Sequence, residues 1–124
     1  VICGHTQCGA MAALLTPEKL DSLPAMKNWL QHASATKKRI DILSENKERS
    51  LIEVIQENII VQADNLKTHP AVSAALLMNR VRIYGWVYHF ESGRVDIYDP
   101  QQRIFIPSTE LREPDSQNGA YFAL

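Results

Sequence analysis

The sequence has few cysteines, almost no net charge and no long apolar run. Its two cysteines, Cys3 and Cys8, are too few for a disulfide framework, which favours a reducing, cytoplasmic setting. A formal net charge of −1 offers no basic surface for nucleic acid or an anionic membrane. No apolar stretch reaches the ~18 residues of a transmembrane helix, and the first residues lack a signal-peptide pattern. These absences argue against secreted, membrane-spanning and nucleic-acid-binding proteins.

The chain of 124 residues, 45% of them hydrophobic, is long enough for one domain with one core. It begins at Val1, directly in an apolar run that predicts a buried strand. A buried strand needs neighbours on both sides, yet the remaining sequence predicts only two or three further strands, all near its end. We therefore expect the chain to be the C-terminal part of a longer protein.

Periodicity predicts a series of helices after the first strand. Ser50 and Glu53 form a capping-box pattern that opens the longest helix. Its apolar residues cover more than half of its circumference, so we expect its own core and another subunit or segment to cover it on two sides. The predicted helices cover residues 10–15, a short stretch from 17, and residues 23–33, 36–43, 51–66 and 70–77. The polar stretch from residue 44 to 49 is predicted to be a loop.

The second half of the chain predicts strands. Alternation of apolar and polar residues indicates a strand over residues 81–90, and Ser92-Gly93 is a hairpin turn before a return strand over 94–98. Residues 104–106 form either one more strand or an apolar tail segment. The predicted fold class is α/β: a mostly parallel central sheet flanked by helices, with a C-terminal antiparallel hairpin. We assign residues 1–106 to the domain and 107–124 to a polar tail.

His5 and Cys8 are the candidate metal ligands. His5 follows the first strand and Cys8 precedes the first helix, at the carboxyl end of the strand, where open sheets place their sites. Imidazole and thiolate are zinc ligands, and Gly9 keeps the surface beside them open. Spacing by itself leaves the alternative open that His5 is a hydrogen-bonded turn residue and Cys8 a small buried one.

The other chemically versatile residues have structural interpretations. A redox pair of Cys3 and Cys8 is disfavoured, because their spacing is not Cys-x-x-Cys and they lie on different elements. The expected roles are a core thiol for Cys3, a surface or interface position for His32 and His89, a helix junction for His69, core packing for Met11, Met26 and Met78, and packing or subunit contact for Tyr84, Trp86 and Tyr88.

Three ordered segments resemble the β-class carbonic anhydrases. Residues 1–11, with His5-Thr6-Gln7-Cys8-Gly9, are similar to that family's second zinc-binding motif. Residues 57–70 resemble its long helix and the Thr-His-Pro junction that follows it. Residues 85–95 are similar to its Gly-Trp strand and hairpin. The resemblance runs to about residue 100. Within the family, the helix and the tail are similar to plant-type bacterial members, including cyanobacterial ones associated with carboxysomes.

The resemblance implies a zinc enzyme that hydrates carbon dioxide reversibly to bicarbonate and a proton. His5 and Cys8 match two of the family's four zinc positions, and Gly9 would border the substrate pocket. The other two ligands belong to an upstream Cys-x-Asp-Ser-Arg motif that this sequence does not contain. The family also implies a homodimer or a larger homo-oligomer. The alternative function is a non-catalytic, carbonic-anhydrase-like assembly or interaction module.

Overall fold

The computed structural model describes residues 1–43 and 49–110 of the chain. One strand, β1, comes first, the five helices α1 to α5 follow, and the strands β2 to β4 come last. The strands are β1 (Ile2–His5), β2 (Gly85–Tyr88), β3 (Val95–Asp99) and β4 (Ile104–Pro107). The α-helices are α1 (Gly9–Leu15), α2 (Pro24–Leu30), α3 (Ser34–Leu43), α4 (Leu51–Lys67) and α5 (Pro70–Leu77), with short 3-10 helices at Pro17–Leu20, Gln31–Ala33 and Ser108–Glu110.

The four strands form one mixed sheet in the order β1-β2-β3-β4. β1 pairs with β2 in parallel, whereas β2–β3 and β3–β4 are antiparallel. The parallel pair places Gly4 opposite Val87 and His5 opposite Tyr88. This arrangement confirms the α/β class, the flanking helices and the C-terminal antiparallel hairpin, and it brings the ends of β1 and β2 to one edge.

Helix α4 supplies the centre of the core. Its N-terminal cap is Ser50, whose side chain accepts from the Glu53 amide while the Glu53 carboxylate accepts from the Ser50 amide, so the predicted capping box is present. Val54, Ile55 and Ile59 of this helix are almost completely buried. They pack with residues of α1, α2, the 3-10 helix Gln31–Ala33, α3 and β2, namely Met11, Leu14, Leu30, Ala33, Ile40 and Val87.

Gly4 allows β1 to lie unusually close to α4. A Cβ atom built on Gly4 would lie 2.8 Å from Cγ2 of Ile55 and 2.9 Å from Cδ1 of Ile59. Both separations are shorter than carbon atoms in contact tolerate, so any residue but glycine would force the two isoleucine side chains, the strand or the helix to shift. The contact fixes the position of β1 on the core, and His5 is the next residue along the strand.

Two predicted elements differ from the structure in extent. The strand predicted over 81–90 is confined to Gly85–Tyr88. The pairing of β1 with β2 starts at Ile2 opposite Gly85, so the residues before Gly85 have no paired residue on β1. The alternation is nevertheless present, since Ile83 and Val87 are buried. The helix predicted over 23–33 divides into α2 and the 3-10 helix Gln31–Ala33. Residues 104–106, left open between strand and tail, belong to β4.

Three predicted core residues are exposed. Cys3 is exposed because side chains alternate along a strand: the Gly4 position faces α4, so Cys3 points to the opposite face of the sheet. Met26 and Met78 are 42% and 63% exposed, whereas Met11 is buried as predicted. His69 lies at the predicted junction as the N-terminal cap of α5. Residues 44–48 of the predicted loop and 111–124 of the predicted tail lie outside the described residues.

The capping box makes a prediction about pH. Hydrogen bonds from the Ser50 amide and hydroxyl, together with the Arg49 charge, hold the pKa of Glu53 below its ordinary value of 4.5. Because the folded pKa is the lower one, this stabilisation is complete above the unfolded pKa and is lost as the pH falls through the folded pKa. We expect Glu53→Gln to lower the free energy of unfolding at pH 7 by about 0.3–1 kcal/mol.

Urea unfolding of both proteins between pH 7 and pH 3 measures this effect. The difference between wild type and Glu53→Gln should shrink as the pH falls below 4.5. A difference that stays constant over this range would contradict the role of the Glu53 charge.

Candidate metal centre

The two candidate ligands flank a tight turn between β1 and α1. His5 is the last residue of β1, and Cys8 is the N-terminal cap of α1. Between them Gln7 adopts a left-handed backbone conformation, with φ of 57°. This conformation is uncommon for a residue with a side chain. The predicted strand, turn and helix are therefore present, and a strained turn separates the two side chains.

The ring of His5 is held so that one nitrogen remains available. Its Nδ1 lies 2.8 Å from the carbonyl oxygen of Thr6. A carbonyl oxygen can only accept, so Nδ1 carries the proton and Nε2 keeps its lone pair when the ring is neutral. The ring also lies against Phe90, with 4.9 Å between ring centroids. His5 thus has the hydrogen-bonding arrangement that orients metal-binding histidines.

Cys8 carries a free, half-buried thiol. Although it occupies the N-terminal cap position of α1, its side chain makes no capping hydrogen bond. The next residue, Gly9, is exposed, and a Cβ atom placed on it would meet nothing within 4 Å. The surface beside the thiol is therefore open.

The donors fit zinc in kind. Imidazole nitrogen and thiolate sulfur are two of the ligand types that zinc prefers, and a zinc site uses four positions in a tetrahedron. Over residues 1–43 and 49–110, no group of three or more His, Cys, Asp or Glu side chains is arranged to hold a metal ion. His5 and Cys8 would thus provide two donors, and a complete site would need others.

The turn after β2 holds the turn after β1. The Thr6 amide donates to the Tyr88 carbonyl over 2.9 Å, and the Phe90 amide donates to Oγ1 of Thr6 over 3.0 Å. The Glu91 carboxylate accepts from the Thr6 hydroxyl at 2.8 Å and from Nε2 of Gln7 at 2.6 Å. Hydrogen bonds from its own amide, Thr6 and Gln7 hold the pKa of Glu91 below its ordinary value of 4.5.

Sequence analysis did not identify Glu91 or Phe90 as neighbours of the candidate ligands. Both lie more than 80 positions along the chain from Thr6, and Glu91 precedes Ser92-Gly93, which indicates only a hairpin turn. The parallel pairing of β1 with β2 is what brings the two turns together.

The remaining histidines do not join this centre. His32 is exposed on the 3-10 helix Gln31–Ala33, as predicted for a surface residue. His89 is partly buried, and its Nε2 lies 2.7 Å from the Asp96 carboxylate. Arg94 contacts the same carboxylate at 2.9 Å. The sequence did not indicate this cluster, because its members are distributed over the hairpin turn and β3.

Among the helices of the described residues, none combines the length and apolar character needed to cross a membrane.

Comparison with known proteins places these features in a family. The family model for carbonic anhydrase matches residues 1–95. A carbonic anhydrase of Pseudomonas aeruginosa is 39% identical over 120 residues, which are 96% of this chain and 54% of that protein. A carbonic anhydrase of Synechococcus elongatus is 42% identical over 98 residues, covering 77% of this chain and 36% of that protein.

A solved structure shows the same fold. The structure of the β-carbonic anhydrase CcaA superposes with a TM-score of 0.77 at 36% identity, over 90% of this chain and 50% of that one. The chain thus spans about half the length or less of these relatives. The matched residues include β1, the His5-to-Cys8 turn, α4 and the Gly-Trp strand β2. The chain belongs to the carbonic anhydrase family, and within it to the β class.

Proposed function

We propose that the complete protein is a zinc enzyme that interconverts carbon dioxide with bicarbonate and a proton. Because the chain spans about half of its relatives, the activity is proposed for the protein as a whole. The observation that carries the proposal is the His5-to-Cys8 turn, where an oriented imidazole and a free thiol lie on either side of two residues at the end of β1.

His5 and Cys8 would hold the metal. Zinc, when bound, supplies the activation of water at neutral pH for which carbonic anhydrases are the standard example. The chain's own contribution is orientation: the Thr6 carbonyl holds the His5 proton at Nδ1, and this leaves Nε2 for the metal. Gly9 leaves the surface beside Cys8 open, as the approach of a small substrate requires. The remaining ligands would come from a Cys-x-Asp-Ser-Arg segment outside these 124 residues.

A cytoplasmic homodimer or larger homo-oligomer is the proposed assembly. Several large apolar side chains are exposed on the described residues, and a partner subunit would remove part of this apolar area from water. They include Leu77 at 84%, Ile42 at 70%, Met78 at 63% and Trp29 at 62% exposure. Because two of the relatives are cyanobacterial, we also propose a carboxysome as the site within the cytoplasm.

Zinc content per chain, measured with the intact mass of the same sample, tests the function. The complete protein should contain about one zinc per chain and should accelerate carbon dioxide hydration in a stopped-flow pH-indicator assay. The 124-residue chain alone should bind zinc far more weakly, because it contributes two donors. A complete protein without zinc and without hydration activity would favour the alternative, a non-catalytic assembly module.

A further inference from the structure

Glu91 bridges the two residues that separate the candidate ligands. One carboxylate oxygen accepts from the Thr6 hydroxyl, and the other accepts from the Gln7 side-chain amide, at 2.8 and 2.6 Å. Glu91 is itself exposed, in the turn between β2 and β3. An exposed turn carboxylate is dispensable for a hydrophobic core, so its two contacts point to a role in the turn that they hold.

The Thr6 contact connects Glu91 to the orientation of His5. The Thr6 hydroxyl donates to Glu91 while it accepts from the Phe90 amide, and the Thr6 amide donates to the Tyr88 carbonyl. Hydrogen bonds of its hydroxyl and its amide therefore fix the position of Thr6. The carbonyl of the same residue accepts from Nδ1 of His5. A displacement of Thr6 would move the acceptor that fixes the histidine ring.

The Gln7 contact connects Glu91 to the position of Cys8. Gln7 has a φ of 57°, a left-handed conformation that is unfavourable for a residue with a side chain. The charge-assisted hydrogen bond from its side chain to Glu91 offsets this cost. Since Cys8 follows Gln7 directly, the backbone angle at Gln7 determines where the thiol lies relative to His5.

We infer that Glu91 is a positioning residue for the zinc ligands: by bridging Thr6 and Gln7, it holds His5 and Cys8 in the arrangement in which they meet the metal. The inference rests on the proposed zinc function of this pair. Glu91 does not touch the metal position in this assignment and acts through the turn.

The test compares Glu91→Ala with Glu91→Gln and with Glu18→Ala in the complete protein. Glu18 is an exposed carboxylate on the 3-10 helix Pro17–Leu20, away from the turn. Zinc dissociation constants are measured by competition with a chromophoric chelator. Outer hydrogen-bond partners of metal ligands contribute about 10- to 100-fold in metal affinity, and we expect the lower end, about tenfold, for Glu91→Ala because it acts through Thr6 and Gln7.

Glu91→Gln should recover most of this affinity, because its amide oxygen can accept from Gln7 while its amide nitrogen donates to the Thr6 hydroxyl. Cobalt substituted for zinc gives a second readout: the visible absorption bands of a tetrahedral nitrogen–sulfur site should shift in Glu91→Ala and stay unchanged in Glu18→Ala. The metal-free variants should all unfold cooperatively, and the midpoint of Glu91→Ala should fall only by what the loss of two exposed hydrogen bonds costs, which separates positioning from a general loss of structure.

The outcomes distinguish this inference from the function on which it rests. If the wild-type protein binds no zinc, the proposed function fails. If the wild type binds zinc and Glu91→Ala binds it equally tightly with an unchanged cobalt spectrum, the function stands and the role of Glu91 is overturned. A loss of affinity in a metal-free Glu91→Ala variant that no longer unfolds cooperatively would also overturn it, because Glu91 would then support the fold as a whole.

Discussion

Replacing Cys8 with serine, or His5 with alanine, is expected to abolish most zinc binding and with it the hydration of carbon dioxide. A structural zinc site with four ligands binds with about 10–16 kcal/mol. One ligand thus contributes about 3 kcal/mol, on the order of a hundredfold in dissociation constant. A serine hydroxyl does not replace a thiolate, because it stays protonated near neutral pH. Zinc dissociation constants and stopped-flow hydration rates of the complete protein measure both losses.

The chain supplies matched controls for both substitutions. Cys3→Ser makes the same chemical change at an exposed position. Cys3 lies on the face of the sheet opposite to the one that Gly4 turns toward α4. His32→Ala removes an exposed imidazole from the 3-10 helix Gln31–Ala33. Both controls should keep zinc and activity at wild-type values. Equal zinc affinity in Cys8→Ser and Cys3→Ser would show that Cys8 is not a ligand.

Gly4→Ala is expected to destabilise the fold by about 1–3 kcal/mol, the usual cost of forcing extra atoms into a packed core. The added carbon would lie 2.8 Å from Cγ2 of Ile55, a side chain whose χ1 angle is restricted, and 2.9 Å from the more flexible Cδ1 of Ile59. We therefore expect β1 to move off α4 and to take His5 with it. Urea unfolding and zinc titration should both register the change.

Gly9→Ala is the matched control, because a Cβ atom there meets nothing within 4 Å and the residue begins a helix that alanine favours. Its free energy of unfolding should stay near the wild-type value. A double mutant with Ile59→Val provides an internal check, since it removes Cδ1 and should reduce the cost of Gly4→Ala. Wild-type stability in Gly4→Ala would contradict the close approach of β1 to α4.

The local sequence predicted the positions of the helices more reliably than it predicted which of their side chains are exposed. The capping box of Ser50 and Glu53 specifies the start of α4 through contacts three residues apart, so it is visible in the sequence. Met26 and Met78 are apolar and lie at or beside helices, yet both are exposed. Exposure depends on which other element covers a side chain, and helical spacing carries no information on that.

The sequence is enough to propose the candidate ligands, whereas it does not indicate their surroundings. His5 and Cys8 stand three residues apart where a strand gives way to a helix, and this pattern together with the family resemblance was enough to name them. Glu91 is separated from Gln7 by 84 residues, and no pattern in the sequence connects the two. The pairing of β1 with β2 juxtaposes them.

Short-range chemistry accounts for the α/β class, the helix starts, the hairpin and the His-x-x-Cys turn, because each depends on residues within a few positions of one another. Long-range contacts account for the rest: Gly4 lies close to Ile55 and Ile59, Cys3 faces away from the core, and Glu91 holds the turn between the ligands. These contacts exist because parallel strands end at the same edge of a sheet and because one helix packs across it.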